Sequence, residues 1–84
     1  PEYRVAVRGH TGKGDEEQNL ILSRERAEVV AKRLIAVYQV DPDRVRSEGF
    51  GSSMPPKRRP GEGERAFGYR LPRVEFVLLE GGNM

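Results

Sequence analysis

The sequence predicts an α/β domain in which a strand–helix–strand unit is followed by a final strand. Residues 3–9 and 73–80 alternate in polarity, with the two-residue period of a β-strand. Between positions 23 and 38, apolar residues recur every three or four residues, as in an amphipathic helix. A chain of 84 residues has room for one small domain, which we place at residues 1–80.

The first strand presents one apolar face, formed by every second residue: Tyr3, Val5 and Val7. We expect this face to be buried and the opposite face to be exposed to solvent. The following residues 11–18 contain two glycines and four charged residues, which is typical of a loop. This loop is not a phosphate-binding Walker loop, because Lys13 is followed by Gly14 instead of Ser or Thr.

The predicted helix begins at Ser23, a favourable N-cap residue, and Glu25 suits the positive end of the helix dipole. Its apolar stripe extends over about four turns and consists of Ala27, Val30, Ala31, Leu34, Val37 and Tyr38. Asp41 and Pro42 end the helical pattern, because the residue before a proline is disfavoured in the helical region. The same pair suits the start of a short turn.

A second strand is predicted at residues 44–49 and should lie parallel to the first, since strands joined by a crossover helix form a right-handed parallel unit. Residues 50–72 contain four prolines and predict a long irregular loop, with one helical turn near residues 64–67. Residues 73–80 predict a last strand, antiparallel in a mixed sheet. We expect the tail at 81–84 to be flexible.

A single helix covers only one face of this sheet, and the sheet keeps an unpaired edge. We therefore expect a further strand and helix, supplied by preceding sequence or by a partner chain. On this interpretation the domain is incomplete at its N-terminus and works as part of a larger protein or complex.

The composition excludes several classes of function. With 15 Lys+Arg against 13 Asp+Glu, the charge does not imply a nucleic-acid partner. The adjacent cations Lys57, Arg58 and Arg59 lack an aromatic platform or an RNA-binding signature, and predict a solvated loop. No apolar run is long enough to span a bilayer. With no cysteine and one histidine, His10, we expect no metal, no cofactor and no catalytic activity.

Arg26 is the candidate binding residue. Its spacing places it on the inward side of the predicted first helical turn, where unpaired N–H groups also favour an anion. A guanidinium there suits a carboxylate or phosphate oxygen, and His10, Thr11 and Asn19 would line the same point if the loop folds back. The alternative is an internal ion pair between Arg26 and one of the acidic residues 15–17.

Several motifs occur in order along the chain: Val7-Arg8-Gly9-His10-Thr11, Asn19-x-x-Leu22-Ser23-x-x-Arg26-Ala27, Asp41-Pro42-x-Arg44-Val45, Gly49-Phe50-Gly51 and Arg73-Val74-Glu75-Phe76. Together they resemble the OmpA C-terminal-like domain, a family that includes the peptidoglycan-associated lipoproteins and the flagellar stator protein MotB. The resemblance implies an α+β sandwich in the bacterial periplasm or cell envelope. It also implies non-covalent binding of the peptidoglycan stem peptide, with no catalysis.

In this family, an Asp directly after Gly-His-Thr and the Arg of Leu-Ser-x-x-Arg-Ala hold the diaminopimelate residue of the stem peptide. Arg26 matches that arginine. The neighbouring family positions are matched by His10, Thr11 and Asn19. The position of the aspartate is occupied by Gly12, and Asp15 is the candidate replacement from further along the loop.

These departures predict that stem-peptide binding is weakened or altered. Losing one charged hydrogen-bond partner costs about 1.5–3 kcal/mol, or roughly ten- to hundredfold in affinity. The family pattern before the last strand is also expanded at residues 63–75 and lacks its asparagine. The alternative function is a structural scaffold in a larger assembly, such as an organellar (mitochondrial) one, in which a protein partner completes the sheet.

Overall fold

The computed structural model describes residues 3–80. The elements in chain order are strand β1 (Tyr3–His10), helix α1 (Glu16–Tyr38), a 3-10 turn (Pro42–Arg44), strand β2 (Val45–Gly49), helix α2 (Glu64–Tyr69) and strand β3 (Arg73–Glu80). The tail predicted at 81–84 lies outside the described residues. Among residues 3–80, no helix combines the length and apolarity needed to cross a membrane.

The three strands form one mixed sheet in the order β2-β1-β3. β1 is parallel to β2, with Val5 opposite Val45, and antiparallel to β3, with Val7 opposite Phe76. The prediction of a βαβ unit, a final antiparallel strand and a helix on one sheet face is confirmed. The predicted short turn after Asp41 is confirmed as well, since the Asp41 carboxylate accepts a hydrogen bond from the Asp43 backbone N–H at 2.9 Å.

Helix α1 begins at Glu16, so the prediction that it begins at Ser23 is wrong. Asp15 is the N-cap, with an extended backbone and a carboxylate that accepts a hydrogen bond from the Gln18 backbone N–H at 3.2 Å. Glu16 and Glu17 occupy the first turn, where negative charge interacts favourably with the helix dipole. The acidic residues 15–17, which suggested a loop, are therefore the polar start of a capped helix.

Small residues on α1 allow its backbone to lie very close to the sheet. Ser23, Ala27 and Ala31 form the buried stripe of the helix. A Cβ atom added to Gly9 would collide with the Ser23 carbonyl oxygen, and one added to Gly49 would collide with the Arg24 backbone. The core is therefore thin and depends on these glycines.

The helix covers β1 and β2 but leaves part of β3 open. Phe76 and Leu78 lie on the helix side of the sheet, opposite Val7 and Val5, yet they are 57% and 66% exposed. Both faces of β1 are buried at its centre, since Ala6 and Val7, which point to opposite faces, are each 0% exposed. The prediction that one face of β1 is exposed to solvent is therefore wrong at Ala6.

The segment between β2 and β3 is more ordered than the predicted irregular loop. The Glu62 carboxylate accepts two hydrogen bonds from the Arg70 guanidinium, both 2.7 Å long, and a third from the Arg59 backbone N–H at 3.0 Å. The Arg58 guanidinium lies over the Phe67 ring, 4.2 Å from its centroid. Arg58, part of the basic run, is thus used in packing within the segment.

Replacing Gly9 by alanine should lower the free energy of unfolding by about 3 kcal/mol, because the new methyl group displaces α1 from the sheet. Urea denaturation measures this change. Gly68→Ala is the matched control: no atom lies within 4 Å of its added Cβ, so stability should be unchanged or raised by up to about 1 kcal/mol. Equal losses in the two variants would contradict the close-contact explanation.

The hydrogen bonds to Glu62, chiefly from Arg70, lower the pKa of its carboxyl from 4.5 to about 2. Because the folded pKa is the lower one, the stabilisation is present above about pH 4.5 and is lost as the pH falls towards 2. A carbon-detected NMR titration of Glu62 should show this low pKa. Arg70→Gln should raise the pKa of Glu62. Arg65→Gln, which removes a cation from the same segment, should leave the pKa of Glu62 unchanged.

Candidate functional site

The candidate site begins where β1 ends, at two buried polar residues. His10 and Thr11 are 2% and 4% exposed. The Thr11 backbone N–H donates to the Gly51 carbonyl at 2.9 Å, which fixes the chain after the strand. The Thr11 hydroxyl has no hydrogen-bond partner within residues 3–80. These contacts hold the start of the 11–15 loop against the segment that follows β2.

His10 is packed within the fold. Its ring stacks on Phe50, with centroids 5.6 Å apart and an interplanar angle of 16°. Nε2 lies 2.6 Å from a Glu75 carboxylate oxygen, a close polar contact. Burial, assisted by the nearby Arg73 charge, lowers the pKa of His10 below 6.5 despite the opposing effect of Glu75. The net effect favours the neutral imidazole.

Asn19 and Asp15 hold the loop to the first turn of α1. The Asn19 side-chain amide donates to the Gly12 carbonyl at 3.0 Å, and the Asn19 backbone N–H donates to the Asp15 carbonyl at 2.9 Å. The Asp15 carboxylate is occupied by its cap to Gln18. Four of the predicted site residues, His10, Thr11, Asp15 and Asn19, thus gather around the 11–15 loop.

Arg26 lies elsewhere on α1. Counted from the N-cap Asp15, it is about 16 Å along the helix axis, so its predicted position in the first turn is wrong. It is exposed, because the buried stripe passes through Ser23 and Ala27 instead. The alternative of an ion pair with residues 15–17 is also wrong: within residues 3–80, the Arg26 side chain makes no hydrogen bond and no ion pair.

Arg26 lines a shallow groove of about 400 Å³ between α1 and β3. The other lining residues are Leu22, Glu25, Val29, Val30 and Val74. Four of these are aliphatic, so the groove offers an apolar wall with two charged side chains, Arg26 and Glu25. Such a surface can hold an aliphatic ligand that carries a carboxylate, through the guanidinium of Arg26.

Glu25 was missed as a groove residue by the sequence analysis. The reason is that the predicted helix start made Glu25 an N-terminal charge, whereas it lies in the third turn of α1. Its position next to Arg26 was visible in the sequence, but which side of α1 faces β3 depends on tertiary packing.

Among residues 3–80 there is also no group of three or more side chains arranged to hold a metal ion.

Comparison with known proteins gives consistent matches. The C-terminal domain of Helicobacter pylori MotB is 27% identical with a TM-score of 0.74, and the match covers 96% of this chain and 60% of that one. The peptidoglycan-associated lipoprotein of Burkholderia pseudomallei is 25% identical with a TM-score of 0.70, over 90% and 62% of the two chains. The chain thus spans about three fifths of these relatives.

A more distant structure, the OmpA-like domain of FopA1 from Francisella tularensis, is 22% identical with a TM-score of 0.57 over 95% of this chain and 53% of that one. It supports the fold alone. No curated protein sequence matches significantly. The family model of the OmpA family matches residues 1–67, which is most of the chain. By this match, and in agreement with its mixed sheet and covering helix, the chain belongs to the OmpA family.

Proposed function

We propose that this chain is a non-catalytic domain that binds the peptidoglycan stem peptide through a carboxylate held by Arg26. The observation that carries the proposal is that Arg26 lines an apolar groove and has no partner within residues 3–80. A guanidinium left unpaired beside aliphatic side chains is suited to bidentate binding of a carboxylate. The name of the Burkholderia relative, a peptidoglycan-associated lipoprotein, supports the same ligand.

The proposed binding differs from the family pattern at the 11–15 loop. Gly12 stands where the resemblance places an aspartate, so that position offers no side chain to accept a hydrogen bond from the ligand's ammonium group. There is room for one: a Cβ at Gly12 would meet only Pro72, at 3.9 Å. Position 12 therefore lacks the acceptor group of the family aspartate, although the surrounding structure leaves space for a Cβ atom there.

The same proposal places the domain in the bacterial cell envelope. The Helicobacter pylori MotB domains that match over nearly the whole chain are described as periplasmic, and the Burkholderia relative is bacterial as well. We further propose that the domain does no chemistry on the ligand. Its one histidine, His10, is packed between Phe50 and Glu75 with a lowered pKa, a position typical of a structural residue.

A structural scaffold is the second candidate. Phe76 and Leu78 are largely exposed on the helix side of β3, and such surface is usually covered by another element or chain. In this candidate a protein partner, or a further segment of the same protein, completes the layer beside α1. None of the matches described above favours the organellar setting.

Arg26→Gln should weaken binding of the tripeptide L-Ala-γ-D-Glu-meso-diaminopimelate at least about tenfold, because the ligand carboxylate loses its charged donor. Isothermal titration with the intact protein, supported by NMR shifts near Arg26, measures the change. Lys32→Gln is the control, since Lys32 is exposed on α1 and is not part of the groove. No NMR shift in the unmodified protein at millimolar tripeptide would refute stem-peptide binding and favour the scaffold.

A further inference from the structure

We infer that the sheet face turned away from α1, called the outward face below, binds an extended acidic segment of a partner protein. The outward positions of β1 and β2 carry Arg4, Arg8 and Arg46 against one carboxylate, Glu48. Such an excess of cations on one face attracts an anionic partner. Because the groove lined by Arg26 lies on the other side of the sheet, the inference does not depend on stem-peptide binding.

Glu48 neutralises these three arginines only in part. Its carboxylate lies 2.9 Å from Nε of Arg8 and 3.5 Å from Nε of Arg46, so two guanidinium groups share one negative charge. Within residues 3–80, the Arg4 side chain makes no hydrogen bond and no ion pair, and the terminal amino groups of Arg8 make no hydrogen bond. Like charges on neighbouring positions of a sheet repel each other. A carboxylate bound between them reduces this repulsion.

The three arginines are spaced like alternate residues of an extended peptide. In the register of β1 and β2, Arg46 is paired with Ala6, so along the strand direction it lies midway between Arg4 and Arg8. Successive arginines are therefore about 6.6 Å apart along the strands. Side chains at every second position of an extended segment repeat at the same distance, about 6.6 Å. Three alternate carboxylates of such a segment can thus each approach one guanidinium group.

A cavity of about 570 Å³ lies at one end of the outward face, where β1 and β3 meet the segment after β2. Arg8 and Glu75 form part of its polar side, and Met54, Pro55 and Pro56 form part of its apolar side. The cavity has room for one aliphatic side chain, and contact with the methionine and the prolines would remove apolar surface from water. We therefore expect an aliphatic residue next to the acidic ones in the partner segment.

Arg73 holds the apolar side of this cavity in place. Its guanidinium donates to the Met54 carbonyl at 2.7 Å and to the Leu71 carbonyl at 2.8 Å. The same guanidinium lies 3.7 Å from the Glu75 carboxylate and offsets the one negative charge in the cavity lining. The cavity is thus formed before a partner binds, and its lining does not repel an acidic segment.

The shape of the outward face favours a protein segment over a membrane surface. The Arg8 side chain is only 28% exposed and lies beside the cavity formed with residues 53–56. A narrow extended chain can reach such a recessed group. A flat layer of lipid headgroups would instead meet the exposed cations of the following segment first, such as Lys57 and Arg59.

The test titrates the intact protein, at low ionic strength, with the peptide acetyl-Glu-Ser-Glu-Ser-Glu-Ser-Leu-amide, in which every second residue can face the sheet. Isothermal titration should show that Arg8→Gln weakens binding about tenfold, because a recessed charged donor is lost. Arg46→Gln should weaken it about threefold, since that side chain is 59% exposed. Arg33→Gln, which removes the same charge from an exposed position of α1, should change the affinity less than about twofold.

A peptide variant tests the cavity. Replacing the leucine of the peptide by serine should weaken binding at least about threefold, because the apolar contact with residues 54–56 is lost. Arg8→Gln should leave the affinity for the diaminopimelate tripeptide unchanged, since the outward face and the groove lined by Arg26 are on opposite sides of the sheet. The failure of one site is therefore distinguishable from the failure of the other.

Three results would overturn the inference. One is the absence of peptide binding at millimolar concentration, and another is an equal loss of affinity in Arg8→Gln and Arg33→Gln, which would indicate attraction by net charge alone. The third is binding to phosphatidylglycerol-containing vesicles without binding to the peptide, which would assign the outward face to a membrane. Urea denaturation of each variant checks that the fold is retained. Arg46→Gln, at an exposed position, keeps the test decisive if Arg8→Gln unfolds the protein.

Discussion

The close approach of α1 to β1 and β2 is the constraint on which the rest of the structure depends. Gly9 and Gly49 leave no space for a Cβ atom, and Ser23 is fully buried against them. This contact sets how far α1 stands above the sheet and which of its sides faces β3. The groove lined by Arg26 follows from it, because Arg26 lies next to the buried residue Ala27 on the side of α1 that borders β3. The site is therefore a consequence of helix packing more than of loop structure.

The strands were predictable because each follows a simple local rule. β1 and β3 alternate in polarity, and a crossover helix between β1 and β2 requires these two strands to be parallel.

The start of α1 was not predicted, although the sequence contains a signal for the N-terminus of a helix. Asp15 is followed three residues later by Gln18, the spacing of an N-terminal capping box, and two glutamates lie between them. Ser23 looked like a better cap, but its hydroxyl serves a tertiary contact.

The candidate site was predictable only in part. Arg26 was identified both from its helical spacing and from a motif, and its lack of an internal partner is consistent with a binding role. Its surroundings were not predictable, because the predicted apolar stripe of α1 left out Ser23, which is buried. Ala27 and Ala31 were assigned to the stripe correctly, and Val30 and Leu34 pack against the same core. Val37 and Tyr38 are exposed, so that part of the prediction is wrong. The ion pair between Glu62 and Arg70, which orders the segment between β2 and β3, was not predictable either. Nothing in the local sequence distinguishes these two residues from the charged residues around them.

The buried hydroxyl of Ser23 makes one hydrogen bond within α1 and one to a residue far away in the sequence. It donates to the Leu20 carbonyl at 3.0 Å and accepts from the Gly51 backbone N–H at 2.9 Å. The first bond forms within the helix, whereas the second joins residues 28 positions apart and needs α1 docked beside the end of β2. Hydrogen exchange at the Gly51 amide therefore reports the docking of α1 separately from the formation of the helix itself.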